Sequence, residues 1–304
     1  MPLTTAAAAK PQQIANEYRA NAEPHWPSHR SGSSRRSGQG SRITPMNPIR
    51  VVVSGSGKMG QQVIAALRDA ADITPVGCVD ALAPGGDFEG LPLYREASAC
   101  FEALTPDVAI DFTNAAWTPL LADAALARGV RLVIGTTGLS SEFIAGLEAQ
   151  AAGRETGVVV ASNFAIGAVL MMHFAAQAAR FFENAEIIEL HHDQKVDSPS
   201  GTAKTTAERM RAARTNDFIH RNSEKEPLPG ARGAEHGGIA IHSVRLPGFV
   251  ASQEVIFGGL GQTLSIRHDT TGRDSFMPGV IAATRAVMSL DHLVVGLDAL
   301  FGLA

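Results

Sequence analysis

Ile49 to Gly60 reads IRVVVSGSGKMG, and this stretch indicates how the chain that follows it folds. Ile49 to Val53 is predominantly apolar, which is typical of a buried strand. Ser54 to Gly60 is a glycine-rich turn, and Met59 to Ala71 has the apolar spacing of a helix. A second strand is predicted from Thr74 to Val79. A strand, a turn, a helix and a strand in about 30 residues form a βαβ unit.

The glycine turn predicts a dinucleotide site, although a plain tight turn is the alternative. Gly57 would let the backbone approach a pyrophosphate at the helix N-terminus, where unpaired N–H groups and the dipole favour anions. Gly60 would allow close packing of helix on strand. Asp80 follows the second strand, where a carboxylate can accept hydrogen bonds from ribose hydroxyls. Asp80 favours NAD because it repels a 2′-phosphate, whereas Lys58 could offset that, so NADH and NADPH both stay open.

Strands and helices go on alternating after this unit. Strands are predicted at 108–112, 131–134 and 158–161, with helices between them. This alternation predicts an α/β fold, a doubly wound Rossmann-type parallel sheet with right-handed crossovers. Ligands of such sheets bind at the carboxyl ends of the strands. Gly135-Thr136-Thr137 and Ala161-Ser162-Asn163-Phe164 are therefore further candidates for contacting the cofactor.

The alternation of strands and helices stops after Phe164. A long helix and then a strand are predicted next. Three extended runs follow at 239–245, 249–257 and 263–269, and they look like antiparallel strands. These elements predict a second, α+β domain that carries a mixed or antiparallel sheet. The helical pattern from Phe276 would return the chain to the first domain. The expected division is a dinucleotide-binding domain over 48–164, joined by 276–304, and a substrate-binding and oligomerisation domain over 165–275.

Residues 1–47 differ in kind from the rest. They contain SHRSGSSRRSGQGSR at 28–42, rich in Ser, Gly and Arg. A disordered extension, or a start placed before a true beginning at Met46, is the preferred interpretation. An organelle transit peptide and a basic arm for nucleic acid are the alternatives.

The composition narrows the class of protein. The net charge is −4, so the protein has no overall positive field that would attract nucleic acid. The sequence contains no run of 18 or more apolar residues, so no membrane-spanning helix is predicted. Cys78 and Cys100 form no CxxC pair and no disulfide framework. We therefore expect a cytoplasmic protein without a membrane or nucleic-acid partner.

A polar cluster at Glu189 to Thr202, ELHHDQKVDSPSGT, lies between a predicted strand and a predicted helix. Its Ser-Gly-Thr turn opens the helix and presents N–H groups that suit a carboxylate or phosphate. His191 and His192 should point to opposite sides of an extended chain, so they are a poor chelating pair and no metal is expected. One could donate a proton while the other orients an anionic substrate. Lys195 can also protonate or hold a carboxylate. A solvated loop is the alternative.

Five motifs together resemble the 4-hydroxy-tetrahydrodipicolinate reductase family, also called dihydrodipicolinate reductase. They are SGSGKMG at 54–60, IDFT at 110–113, GTTG at 135–138, ASNFAIGA at 161–168 and ELHHDQKVDSPSGTA at 189–203. The resemblance runs from Ile49 to the C-terminus, and NFAIGAVLMMHFAAQAARFF and LPGARG are most similar to the actinobacterial branch. It implies NADH- or NADPH-dependent reduction of 4-hydroxy-tetrahydrodipicolinate to tetrahydrodipicolinate in lysine and diaminopimelate biosynthesis, by a homotetramer.

The resemblance also implies roles for single residues. His191 would be the proton donor and acceptor, and Lys195 the proton donor. The substrate dicarboxylate would be bound by His192, Gly201 and Thr202. Cofactor contacts would fall on Ser54, Gly55, Ser56, Gly57, Lys58, Met59, Asp80, Gly135, Thr136, Thr137, Ala161, Ser162, Asn163 and Phe164. The departures from the family pattern are Ser54, Asp193-Gln194 and Ser198, where the family usually has Ala.

Two other functions stay open on the sequence. The first is a nucleotide-binding regulatory protein without turnover, although such a protein would need no proton donor. The second is another Rossmann dehydrogenase, acting on aspartate or homoserine. Arg245, Arg267 and His268 lie on predicted strands of the second domain, and could contact either substrate or a second subunit.

Overall fold

The computed structural model describes residues 47–303, so the extension predicted over 1–47 lies outside the described residues except for Asn47. The larger of its two sheets has the strand order β13-β7-β6-β5-β1-β2-β4-β3. All neighbours are parallel except β3 and β4. This confirms the predicted Rossmann-type sheet. The strands are β1 (Ile49–Ser54), β2 (Ile73–Val79), β3 (Gly86–Phe88), β4 (Leu91–Tyr94), β5 (Val108–Asp111), β6 (Arg131–Ile134), β7 (Val158–Val160) and β13 (Leu293–Val295).

Helices cover both faces of this sheet. They are α1 (Lys58–Asp69), α2 (Ala97–Leu104), α3 (Thr118–Leu126), α4 (Ser141–Gly153) and α7 (Met277–Ala286). Successive residues of a strand point to opposite faces, so a strand buried on both faces is apolar throughout. In β1, Val51 and Val53 pack in the core that contains residues of α1 and α7, and Val52 packs in the core on the other face. The continuous apolar run in β1 follows from this double burial.

The smaller sheet is mixed, as expected, with the order β12-β11-β8-β10-β9. Its strands are β8 (Asn184–His191), β9 (Ala234–His236), β10 (Ile239–Arg245), β11 (Ala251–Gly259) and β12 (Gln262–Thr270), and α5 (Ile166–Ala178) and α6 (Gly201–Ala212) contribute to its core. The prediction that three consecutive runs pair antiparallel is wrong for the first of them. β10 pairs with β8 in parallel, and β8 separates it from β11.

The connection between β10 and β11 explains that arrangement. The loop at 246–250 passes over the end of β8, where the Leu246 N–H donates to the carbonyl oxygen of His191 at 3.1 Å. β10 and β11 therefore run in opposite directions without being neighbours. The crossing also brings this loop to the end of β8, where the polar cluster begins.

Several short elements were not predicted. They are β3, β4, β9, β13 and the 3-10 helix Arg273–Phe276. The helical pattern predicted from Phe276 ends in a second 3-10 helix, Val287–Ser289. β13 pairs with β7, so the end of the chain extends the larger sheet.

Both cysteines are free and buried, and burial above all raises the pKa of each thiol to about 12. Among residues 47–303, no helix is long and apolar enough to span a membrane.

Candidate active site

The glycine turn has the close contacts that its sequence predicts. A Cβ on Gly60 would lie 2.0 Å from the Gly55 carbonyl oxygen, so only glycine lets α1 start this close to β1. Gly55 itself has a φ of +99°, which side chains rarely adopt. By contrast, a Cβ on Gly57 would meet no atom within 4 Å. No side chain caps α1 at Gly57. The first N–H groups of α1 therefore have no side-chain acceptor at the N-cap and stay available to an anion.

Asp80 is fixed beside this turn. Its Oδ2 accepts hydrogen bonds from the Ser56 N–H at 2.9 Å and from the Ser56 hydroxyl at 2.7 Å, and its Oδ1 accepts from the Leu82 N–H at 3.0 Å. Burial acts to raise the pKa of Asp80, but these hydrogen bonds outweigh burial and hold the pKa below its ordinary value. Asp80 is therefore an ionised acceptor where a ribose would lie.

A groove of about 280 Å³ adjoins Asp80 and extends the nucleotide side of the molecule. Leu82, Trp117 and Leu120 supply its apolar walls, together with Thr113. Such a groove suits a flat ring attached to a ribose that Asp80 holds. Leu82, Trp117 and Leu120 were not predicted as site residues, because they belong to no motif of the glycine turn.

Beyond the turn, a buried carboxylate organises the ends of β5 and β6. Asp111 is fully buried, and it accepts hydrogen bonds from the hydroxyls of Thr113 at 2.6 Å, Thr118 at 2.5 Å and Thr136 at 3.0 Å. The Thr136 hydroxyl also accepts from the Thr113 N–H at 3.0 Å. This network ties the IDFT and GTTG motifs into one rigid edge of the sheet.

The predicted cofactor residues divide by burial. Four of them have buried side chains, namely Ser54, Thr136, Ala161 and Phe164. The Ser54 hydroxyl, for example, accepts a hydrogen bond from Trp117 Nε1 at 2.9 Å. The other ten are exposed or half-buried, namely Gly55, Ser56, Gly57, Lys58, Met59, Asp80, Gly135, Thr137, Ser162 and Asn163. Direct contact of each with a cofactor stays a prediction.

At the end of β8, Glu189 is the centre of a hydrogen-bonded group. Its side chain is fully buried, and its Oε2 lies 2.6 Å from His191 Nδ1. Arg245 donates to both carboxylate oxygens, at 2.7 and 2.8 Å, and the Ser200 N–H donates to Oε1 at 3.2 Å. Burial acts to raise the pKa of Glu189, but hydrogen bonds from His191, Arg245 and Ser243 lower it to about 2.

This geometry fixes the tautomer of His191. An ionised carboxylate only accepts hydrogen bonds, so His191 Nδ1 must carry the proton that it shares with Glu189. Nε2 is then the ring atom available to hold or release a proton. Glu189 was not assigned a role from the sequence, although it lies two residues before His191 on one strand and therefore on the same face.

Lys195 is held by a carboxylate of its own. Its Nζ donates to Asp197 Oδ1 at 2.5 Å, and the Asp197 carbonyl oxygen accepts from Arg245 Nη2 at 2.8 Å. Burial acts to raise the pKa of Asp197, and the Lys195 hydrogen bond outweighs it, so the pKa falls below its ordinary value. Arg245 thus supports both His191, through Glu189, and Lys195, through Asp197.

The N-terminus of α6 has the features of an anion site. Ser200 caps the helix, since its side chain accepts from the Ala203 N–H at 3.2 Å. Within the described part of the chain, no group accepts from the N–H of Gly201 or Thr202. The Asn163 amide donates to the Thr202 hydroxyl at 3.2 Å, which joins this helix to the end of β7. Two free N–H groups and a hydroxyl therefore converge, as a carboxylate requires.

These elements enclose one cavity of about 210 Å³. It brings together all five predicted catalytic and substrate-binding residues with three predicted cofactor residues. Its lining includes Thr137, Ser162, Asn163, His191, His192, Lys195, Gly201, Thr202, Arg273 and Phe276. Arg273 was missed from the sequence, because a single exposed arginine after a strand carries no signal. Among residues 47–303, no cluster of three or more His, Cys, Asp or Glu could hold a metal ion.

Comparison with known proteins agrees with this geometry. Residues 49–164 match the family model for the N-terminus of dihydrodipicolinate reductase, and residues 167–301 match the model for its C-terminus. A 4-hydroxy-tetrahydrodipicolinate reductase from Moorella thermoacetica is 49% identical over 259 residues, which cover 82% of this chain and 97% of that protein. One from Dehalococcoides mccartyi is 47% identical over 265 residues, which cover 85% of this chain and 100% of that protein.

Solved structures give the same result. Dipicolinate-bound dihydrodipicolinate reductase from Paenisporosarcina sp. TG-14 has a TM-score of 0.73 and 40% identity, over 83% of this chain and 99% of that one. An amine dehydrogenase from Mycobacterium smegmatis, with a TM-score of 0.60 and 14% identity, shares the fold alone. The similarity to the actinobacterial branch stays a prediction. With both family models and close relatives matching in order along its length, the chain belongs to the dihydrodipicolinate reductase family.

Proposed function

We propose that this protein reduces 4-hydroxy-tetrahydrodipicolinate to tetrahydrodipicolinate with NADH or NADPH, in lysine and diaminopimelate biosynthesis. One observation carries the proposal. A single cavity joins the carboxyl ends of nucleotide-sheet strands, at Thr137 and Asn163, to the proton donors and the anion site at 191–202. A reduced nicotinamide, when bound, supplies the hydride. The residues of this chain bind and orient the substrate and deliver the proton.

His191 is the first candidate proton donor. Glu189 holds its Nδ1–H and stabilises a positive charge on the ring, so the imidazolium can form and release a proton from Nε2. Because Arg245 pairs with the same carboxylate, Glu189 stays ionised throughout. His191 thus returns to the same tautomer after each turnover.

Lys195 and the N-terminus of α6 complete the arrangement. Lys195 is a cation in the cavity that can donate a proton or hold a carboxylate, and Asp197 limits its movement. The free N–H groups of Gly201 and Thr202 bind one carboxylate of the substrate, with His192 beside them. Arg273 adds a further cation to the lining, and its guanidinium suits the second carboxylate of a dicarboxylate.

The nucleotide side suits a reduced dinucleotide by its shape. Open space at Gly57 admits a pyrophosphate to the N-terminus of α1, and the groove beside Asp80 admits an adenine. We propose that Asp80 sets a preference for NADH, because its ionised carboxylate accepts from ribose hydroxyls and repels a 2′-phosphate. Lys58 is exposed and lies outside these hydrogen bonds.

The domains follow from the same proposal. Residues 48–164 bind the dinucleotide, residues 276–304 return to that domain, and residues 165–275 bind substrate and form the subunit contacts. Pairing of β13 with β7 supports the return. Half-buried Ile188 and Ile256 lie on the face of the smaller sheet away from α5 and α6, and such apolar side chains suit a second subunit. We propose a cytoplasmic homotetramer, and sedimentation equilibrium tests its mass.

A coupled assay tests the activity. The condensation product of pyruvate and aspartate semialdehyde is added to the full chain with NADH or NADPH, and oxidation of the nucleotide is followed. Turnover with both, faster with NADH, is expected. Tight NADH binding without turnover would indicate the regulatory alternative, and turnover on aspartate or homoserine alone would indicate a different dehydrogenase.

A further inference from the structure

A small chamber lies beside His191, and its lining does not include His192, Lys195 or Arg273 of the main cavity. Its volume is about 20 Å³, which is room for about one water molecule. Polar side chains contribute much of its lining, namely Asn163, His191, Thr202, Ser252, Gln253, His268 and Thr270. No step of the proposed reaction yet uses Gln253 or His268.

The sheet register explains why these groups meet. Gln253 on β11 pairs with Glu189 on β8 at one side and with His268 on β12 at the other. Directly opposite residues of antiparallel strands project to the same face, so the three form one polar row. That face packs against α5, where a Cβ on Gly167 would lie 2.8 Å from His268 Nε2. Only glycine at 167 leaves room for the imidazole.

Gln253 lines the chamber and has a buried acceptor that is unpaired among the described residues. Its side chain is 4% exposed, and its Oε1 is buried without a hydrogen-bond partner among the described residues. The Thr206 hydroxyl donates to the Thr202 carbonyl at 2.7 Å, so it must accept from Gln253 Nε2, which lies 2.8 Å away. That fixes the orientation of the amide and leaves Oε1 for another donor. Buried acceptors are nearly always satisfied, by protein or by ordered water.

We propose that the chamber binds one ordered water, which donates to Gln253 Oε1 and connects His268 to His191. On the proposed function, on which this inference rests, His191 Nε2 gives its proton to the substrate. The water then transfers a proton to His191 Nε2 and takes one from one ring nitrogen of His268. In the same step the other ring nitrogen of His268 gains a proton from solvent at the edge of the sheet, where β12 is the last strand. His268 is thus a positioning residue that acts through His191.

The surrounding charges suit such a path. Among the lining residues only His191 and His268 carry imidazole rings. The Glu189 carboxylate lies 2.6 Å from the first ring, and the Asp269 carboxylate acts on the second. Burial lowers the pKa of His268, and the Asp269 carboxylate opposes this.

The test compares His268→Asn with His292→Asn, a control on an exposed histidine whose Nδ1 lies 2.7 Å from Asp291. Turnover of the full chain is measured from about pH 5 to about pH 8, the range over which histidine changes its charge. We expect His268→Asn to lower kcat by about tenfold and to leave KM unchanged. Loss of the proton donor His191 itself would lower kcat by about 10²–10⁴-fold. The deficit should grow as pH rises, and added imidazole should restore the rate.

Superimposable pH profiles for the two variants would overturn the inference. If wild-type protein fails to turn over at all, the proposed function fails instead, so the two failures are distinguishable. A neutron or high-resolution X-ray structure of the wild-type chain gives a check that needs no variant. A water bonded to Gln253 Oε1 is expected, and an Oε1 bonded only to protein donors would also overturn it.

Discussion

Replacement of Glu189 by glutamine tests how the site is built. Glu189 is fully buried and hydrogen-bonded to both His191 and Arg245. The substitution keeps the shape and removes the charge. The amide can accept from Arg245 through its oxygen, but it then turns its NH₂ towards His191 Nδ1. Nδ1 must become an acceptor, which gives the wrong tautomer and disfavours the imidazolium.

Two magnitudes follow from these contacts. Loss of a correctly held general acid lowers kcat by about 10²–10⁴-fold. The folded-state pKa of Glu189 lies at about 2 against an ordinary 4.5. At about 1.4 kcal/mol per pKa unit, ionised Glu189 contributes roughly 3 kcal/mol to the free energy of unfolding. Because the pKa is lowered, this contribution is complete above pH 4.5 and is lost as pH falls towards 2.

The measurements are kcat from nucleotide oxidation and unfolding by urea at several pH values. Glu186→Gln is the matched control, since Glu186 lies on the same strand and also pairs with an arginine and a histidine, Arg232 and His242, outside the cavity. It should keep kcat near the wild-type value. A folded Glu189→Gln variant with kcat within about twofold of wild type would refute the tautomer argument.

Four further outcomes are expected. Gly60→Ala should destabilise the fold by about 1–3 kcal/mol or more, because its Cβ would meet the Gly55 carbonyl oxygen; thermal unfolding measures this. Gly57→Ala meets no atom, so it should keep the melting temperature while raising KM for NADH. Asp80→Ser should lower the NADH-to-NADPH ratio of kcat/KM by about tenfold or more, and an unchanged ratio would contradict the role of this carboxylate. Arg273→Ala should raise KM for the substrate by about tenfold or more, because the guanidinium suits a carboxylate of the substrate. Steady-state kinetics measures KM, and calorimetry checks that the variant is folded.

The larger sheet could be predicted because its signals are local. An apolar run followed at once by glycines specifies strand, turn and helix without reference to distant residues. Three-residue strands such as β13 are too short to show a periodic pattern of apolar residues. They form because a neighbouring strand has backbone groups free to pair with them. The place of β10 beside β8 depends on a crossing loop rather than on the composition of either strand.

The candidate site could be predicted only in part, for a similar reason. His191, His192 and Lys195 lie within five residues, so their chemistry is visible in the sequence. Glu189 and Arg245 are 56 residues apart, and only the parallel pairing of β8 with β10 brings them together. The sequence also could not predict which of the candidate cofactor residues have buried side chains. Burial separates Ser54 and Phe164, whose side chains are enclosed, from Thr137 and Asn163, which line the cavity.

The most direct measurement is the turnover of the condensation product of pyruvate and aspartate semialdehyde by the wild-type chain and by His191→Ala and Lys195→Ala. If the cavity joins hydride transfer to a proton donor, wild type oxidises NADH and each variant loses about 10²–10⁴-fold in kcat while still binding NADH. Full activity in both variants would contradict the assignment of this cavity as the place where the substrate is protonated.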